Sequence, residues 1–228
     1  NNAVRSYRAA IDTMTDRYAS TVNILAVPGI RESFITDHAI DRVKDFGQAL
    51  YLMDMAQYDM DGTRLYDDST GRPSVSKTIS EFEGRTLDAN SSAVYFPNVV
   101  IKDDDTGANV EVPSSVAALA ALGFNDRVSF PWFAPAGFNR GALDFVENVG
   151  VRLTAADRDG LYDARINPIA TFPQQGFVIF GQKTLQMAKS ALDRVNVRRM
   201  LLEVKRIVGQ VANSYLFEQN TPALRAKF

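Results

Sequence analysis

The sequence contains no cysteine and a single histidine. The first absence removes thiol nucleophiles, thiolate metal sites, iron–sulfur clusters and disulfides together. The second leaves no set of imidazoles for a zinc site. Long apolar runs are also missing: no segment reaches the roughly 18 apolar residues of a membrane helix. No signal peptide is visible. Basic charge is not in excess, with 25 Lys and Arg against 27 Asp and Glu. That balance excludes an ordinary nucleic-acid binder. What is present is an average globular composition, 46% apolar and 23% charged over 228 residues. A core of that size needs no covalent staple.

Charge is unevenly placed. Segment 194–228 carries seven Lys and Arg against Glu203 and Glu218, net +5, which leaves net −7 on the first 193 residues. Such asymmetry suits complementary faces of a self-associating subunit, or simply a solvated basic helix face. The chain opens on Asn1 rather than Met, with Val4, Tyr7, Ile11, Met14 and Tyr18 already at helical spacing. A fragment, a processed chain or an excised domain is expected.

Periodicity predicts helices over 3–19, 32–46, 75–88, 155–163 and 195–212, and a short alanine-rich helix from Pro113 to about Gly123. Apolar runs at 22–27 and 49–53 read as strands, and the β–α–β order favours a parallel sheet covered on both faces. A strand over 93–101 broken by Pro97 turns at Asp103–Gly107 into a hairpin returning over 108–112. Further strands are expected at 166–171 and 177–180. Ser74 is read as a helix cap, and Thr154 with Asp157 as a capping box. Val197, Leu201, Val204, Val208 and Val211 are read as the buried stripe of the last long helix. Residues 57–73 and 126–142 are read as loops.

Chemistry-bearing motifs are weak. Gln57, Asp59, Asp61, Gly62 and Asp68 fall near calcium-loop spacing. Gln57 stands where the first Asp belongs, and Arg64 where an aliphatic residue belongs, so a solvated acidic loop is the better account. Ser74-x-x-Lys77 has the spacing of penicillin-recognising enzymes without their partner motifs. A Ser–His–Asp triad would have to use His38, which lies mid-helix, and no Gly-x-Ser-x-Gly elbow exists. No phosphate-cradling glycine loop occurs. Phe130, Trp132, Phe133 and Phe138 form an aromatic cluster in a Pro/Gly-rich stretch. The favoured reading lays these rings over the core; exposed, they would mark a contact surface.

Four blocks stand in order along the last third: Ile166-Asn167-Pro168-Ile169-Ala170-Thr171-Phe172-Pro173 leading to Gly176, Phe180-Gly181-Gln182-Lys183-Thr184-Leu185, Arg194-Val195-Asn196-Val197-Arg198-Arg199, and Phe217-Glu218-Gln219-Asn220. This pattern resembles the contractile tail sheath proteins of myovirus-type bacteriophages. Weaker echoes lie at Asn23–Gly29, Ala93–Pro97, Val112–Ser115 and Ala134–Ala136. Phe180, Lys183 and Gln174-Gln175 depart from the family pattern and point to a divergent branch, such as a large phage.

The resemblance implies a structural subunit rather than an enzyme, without cofactor or metal. It implies a three-layer α/β fold: a central, mostly parallel sheet with helices on both faces, likened to subtilases without their catalytic residues. A β-hairpin and a smaller α+β C-terminal part complete it. Residues 1–160 would form the sheath core domain, and 161–228 the start of the sheath C-terminal region packed on it. Family-motif structural positions would be Asn167, Pro168, Phe172, Gly176, Gly181, Thr184, Asn196, Arg198, Arg199, Phe217, Glu218 and Asn220. Partners would be neighbouring sheath subunits, the tail tube protein and the baseplate, met by the full-length parent. Neither nucleic acid nor membrane is expected as a partner. The parent would be a virion component assembled in the host cytoplasm. Sheath subunits are knitted together by terminal arms, which this chain is expected to lack, so by itself it would be a monomer. Related readings are a type VI secretion sheath, a contractile bacteriocin or an extracellular injection system, with an α/β hydrolase as a distant alternative.

Overall fold

The computed structural model describes residues 2–66 and 71–227. In chain order the elements are α1 (Asn2–Met14), β1 (Ile24–Ala26), α2 (Ser33–Phe46), β2 (Leu50–Met53), β3 (Gln57–Tyr58), β4 (Arg64–Leu65) and α3 (Val75–Glu83). There follow β5 (Ser92–Phe96), β6 (Val99–Lys102), β7 (Asn109–Val112), α4 (Ser114–Val128), β8 (Val146–Val149) and α5 (Ala155–Asp163). The chain closes with β9 (Ile166–Phe172), β10 (Gly176–Ile179), a 3-10 turn (Ala191–Asp193), α6 (Val195–Asn213) and α7 (Pro222–Arg225).

The main sheet has the order β1-β2-β5-β9-β10. Its first four strands are parallel, with Leu25 beside Tyr51, Leu52 beside Ala93 and Tyr95 beside Asn167; β10 returns antiparallel on β9. Both faces are covered, which is why the strands read as continuous apolar runs. Alternate residues feed two cores. Leu25, Tyr51, Met53, Val94, Phe96 and Ile166 join α2, α3 and α5 on one face. Leu50, Leu52, Ala93, Tyr95 and Ile169 join α4 and the start of α6 on the other. The expected parallel-rich sheet between helices is therefore present. No helix among the described residues is long and apolar enough to cross a membrane.

A second sheet of order β7-β6-β8 branches from the end of β5, with only Pro97 and Asn98 between β5 and β6. It contains the expected hairpin, and adds β8, whose four residues were too few to stand out from the loops beside them.

Several boundaries shift for identifiable reasons. Helix α3 stops at Glu83, because Thr86, expected in its stripe, sits at φ 46°. Its N-terminal Ser74 makes no side-chain cap; the hydroxyl lies 3.4 Å from that of Ser76 instead. Helix α4 continues through Gly123 to Val128. The cost of a helical glycine, about 1 kcal/mol, is outweighed by burial of Ala117, Ala118, Ala121 and Leu122. The stretch 57–66 is not all loop, since β3 and β4 pair there. By contrast, α2 ends at Gly47 in the left-handed conformation, and α5 starts on the complete Thr154–Asp157 capping box, both as read.

The division expected at 160/161 falls within α5, and β9 beyond it pairs with β5 before it. The two segments thus share one sheet.

Candidate functional site

The four sequence blocks largely converge on β9 and the start of α6. Asn167 is fully buried in β9. Its Nδ2 donates to Val94 O at 3.0 Å and to Lys183 O at 2.8 Å, and its Oδ1 accepts from Lys183 N at 2.6 Å. One side chain therefore ties segment 181–185 to two sheet strands. Gly181 is required by that approach: a Cβ there would stand 2.9 Å from Pro168 Cδ and 3.0 Å from Asn167 Oδ1. Pro168 sits opposite Phe96, where β5 ends, and its carbonyl accepts from Phe180 N at 2.8 Å, just past the end of β10.

The same segment then holds α6. Thr184 is buried; its backbone N donates to Asp193 O at 2.9 Å, its hydroxyl to Leu192 O at 2.9 Å, and Val195 N donates to Gln182 O at 2.8 Å. Leu185 N donates to Ser92 O at the head of β5. Lys183 reaches Tyr162, donating to its carbonyl at 2.7 Å with Nζ 3.8 Å from the ring centroid. Desolvation, aided by Arg194, holds its ammonium pKa below the usual lysine value.

Helix α6 itself departs from the expectation. Its buried residues are Val195, Arg198, Arg199 and Leu202. Val204 and Val208 of the expected buried stripe are 48% and 51% exposed. The reason is where the helix is pinned. The bond from Val195 to Gln182 and the ion pair of Arg199 turn the arginine stems, not the valines, onto the core. Arg199 clamps Asp126 of α4 through two hydrogen bonds of 2.8 and 2.6 Å, with its side chain 3% exposed. Beneath it, burial raises the Tyr95 phenol above the ordinary tyrosine value, and the Arg199 cation partly opposes this. Asn196 donates to Trp132 O at 3.3 Å.

The aromatic loop is the second correction. Phe130, Trp132, Phe133 and Phe138 are 40–55% exposed rather than folded over the core. Phe130 and Trp132 stack on each other at 4.7 Å. Phe138 meets Phe172 and Phe180 across the sheet end, with Arg158 over the Phe172 ring at 5.1 Å. Gly176 takes φ 70° at the β9–β10 turn. The last block stays apart: Phe217 is fully exposed, Glu218 is exposed, and Asn220 accepts from Arg225 Nε at 2.8 Å.

Asp54 was not singled out by the sequence. It is 2% exposed at the end of β2, accepting from Gly29 N at 2.9 Å, Ser115 N at 3.0 Å and Ser115 Oγ at 2.7 Å. Its carboxylate thereby caps α4, whose own N-cap position is Pro113. An Asp closing an apolar strand was the available signal, but its partners lie 25 and 61 residues away.

The catalytic alternatives find little geometry. His38 links α2 to α1, its Nε2 donating to Asp12 at 2.8 Å and its Nδ1 accepting from Arg8 at 3.2 Å. No serine among the described residues hydrogen-bonds to it. Asp59 accepts from the N–H groups of Asp61 and Thr63, closing the β3–β4 turn, while Asp68 lies outside the described residues. A groove of about 470 Å³ beside Tyr162, Phe180 and Arg194 is lined, among the described residues, by no serine or histidine.

No family model matches the chain. Over 127 residues, 56% of the chain, it is 42% identical to the tail sheath protein of Vibrio phage KVP40 and 35% identical to that of Enterobacteria phage T4. The tail sheath protein of Salmonella phage ViI is 34% identical over 95 residues. The chain is thus similar to phage tail sheath proteins over about half its length, and the match spans about a fifth of theirs. Its fold is that of contractile sheaths. The helical sheath of the anti-feeding prophage in its contracted state superposes with a TM-score of 0.67 at 22% identity, covering 97% of this chain and 54% of that one. The sheath complex of an extracellular contractile injection system, PVC, in its contracted state gives 0.64 at 21%, covering 90% and 51%.

Proposed function

We propose that this chain is part of a contractile tail sheath subunit of a bacteriophage, which surrounds the tail tube and contracts to drive it through the host envelope. The observation that carries the reading is the 42% identity to a phage tail sheath protein over 127 residues. The fold likeness to injection-system sheaths supports the same mechanical class. In this reading the chain is not an enzyme, and its core is a subtilase-like three-layer frame without catalytic residues. Residues from 161 onward begin the sheath's C-terminal region, built into the core sheet through β9. Asn167, Pro168, Gly181, Thr184, Asn196 and Arg199 stiffen the frame, while Phe172, Gly176, Arg198, Phe217, Glu218 and Asn220 serve its margins. Partners are neighbouring subunits, tube and baseplate, and the protein resides in the virion after assembly in the host cytoplasm. The 228-residue chain alone is a monomer. A rigid frame suits contraction, a switch between two packings of the same bodies.

Electron microscopy of the full gene product tests this, with hollow tubes of regular helical rise expected. Failure to form tubes at any salt or concentration would count against it. Sedimentation of the 228-residue chain at tens of micromolar should give one species near 25 kDa. Ester or peptide hydrolysis abolished by His38→Ala would restore the hydrolase reading.

A further inference from the structure

Arg198 and Arg199 are consecutive and both buried, yet they end differently. Arg199 finds Asp126. Arg198 is 8% exposed, its Nε is buried without an acceptor, and among the described residues no carboxylate pairs with its guanidinium. Burial alone lowers its pKa, with no anion acting against it. A desolvated, unpaired guanidinium weakens a fold unless something from outside completes it.

The surroundings say what that is. On a helix, residues three and four apart are neighbours. One step along its flank Arg198 therefore borders Leu201, and beyond it Lys205, which also lacks an ion pair among the described residues. Next to them run Val204 and Val208, half exposed. On the opposite flank Glu203 and Arg206 satisfy each other at 2.5 and 2.9 Å. The ridge is thus apolar along its crest, electrically complete on one side and short of anions on the other. The complementary charge lies on the same sequence, in the net −7 of residues 1–193. Exposed carboxylates stand at Asp104 and Asp105 of the hairpin tip and at Asp61 beside Met60, itself 82% exposed.

We propose that the outward ridge of α6 seats an acidic, partly apolar patch of a second copy of this protein, one of whose carboxylates completes Arg198. This rests on the sheath reading above and names one surface through which subunits meet. Arg199 then belongs to the subunit and Arg198 to the assembly.

The test uses the full gene product. Arg198→Met, which keeps the stem and removes the charge, should leave the melting temperature of the unassembled subunit unchanged or raised. It should also lift the concentration needed for tube formation at least tenfold. Lys205→Glu, at an exposed position, should hinder assembly without changing melting. Arg199→Met should lower melting. If Arg198→Met lowers subunit melting as Arg199→Met does, the partner is on the same chain and the proposal falls. It falls equally if both ridge variants form tubes at the wild-type concentration. Wild-type protein that forms no tubes would bring down the sheath reading and this assignment with it. Wild-type tubes with unaffected variants would bring down this assignment alone.

Discussion

Replacing Asp54 by Ala should be among the most damaging single changes in the fold, although residue 54 lies in neither core cluster. The carboxylate accepts from two backbone N–H groups and the Ser115 hydroxyl at 2.7–3.0 Å, with the Ser114 hydroxyl at 3.3 Å. Hydrogen bonds to a charged acceptor are worth about 1.5–3 kcal/mol each, and they are not additive. Against them stands the relief of a desolvated carboxylate. The balance is a loss of about 3–4 kcal/mol, because Gly29 N and Ser115 N are left without acceptors and α4 loses the anion at its N-terminus. Asp54→Asn keeps one acceptor oxygen and should cost about half as much. In a chain of this length about 2–4 °C of melting temperature accompanies each kcal/mol, so the Ala variant should melt roughly 10 °C lower. Urea unfolding is readily followed through Trp132, the only tryptophan, with an unchanged m-value expected. A loss below about 1 kcal/mol for Asp54→Ala would refute the reasoning, since it would mean that water or rotated hydroxyls replace the carboxylate.

Gly181→Ala places a methyl within 3.0 Å of Pro168 and Asn167 and should cost about 2–3 kcal/mol, read by the same urea assay. Thr154→Ala removes one half of the α5 capping box and should cost about 1 kcal/mol, with helix content by circular dichroism otherwise retained. Glu203 titrates below the ordinary glutamate value, chiefly through the hydrogen bond from Arg206. Its contribution is therefore present above the ordinary value and fades as the pH falls through the lower folded one. Since the pair is half-buried with Arg206 open to solvent, Glu203→Gln should flatten the acid limb of the stability curve by less than about 1 kcal/mol. Shortening the Asp103–Gly107 tip, exposed from Asp104 onward, should change stability by less than about 1 kcal/mol in thermal melts.

The parts legible in the sequence were those whose signal is local. Strands 24–26 and 50–53 declared themselves because both faces are buried, and α5 because its capping box lies within four residues. Helix α6 was legible as a helix but not in orientation. Its valines carry the stronger periodicity, and only the long-range contacts of Val195 and Arg199 decide which side turns inward. The aromatic loop failed similarly: Phe130 and Trp132 satisfy each other by stacking, which composition cannot distinguish from burial. Asp54 was invisible because its partners lie far away in the chain. The resemblance to tail sheath proteins brought Asn167 and Gly181 forward, and only the structure shows why a side chain larger than hydrogen is barred at 181.

The tie between Asn167 and segment 181–185 also decides how the molecule bears a load. A pull on α6 does not unzip one bond after another. It is met at once by the bonds of Lys183 to Asn167, of Leu185 to Ser92, of Thr184 to Asp193 and of Val195 to Gln182. Two attachments join the helix to segment 181–185 and two join that segment to the central strands β9 and β5, so each pair shares the force and hands it on. Displacement of the helix is thereby converted into displacement of the whole sheet, and the frame travels as one piece.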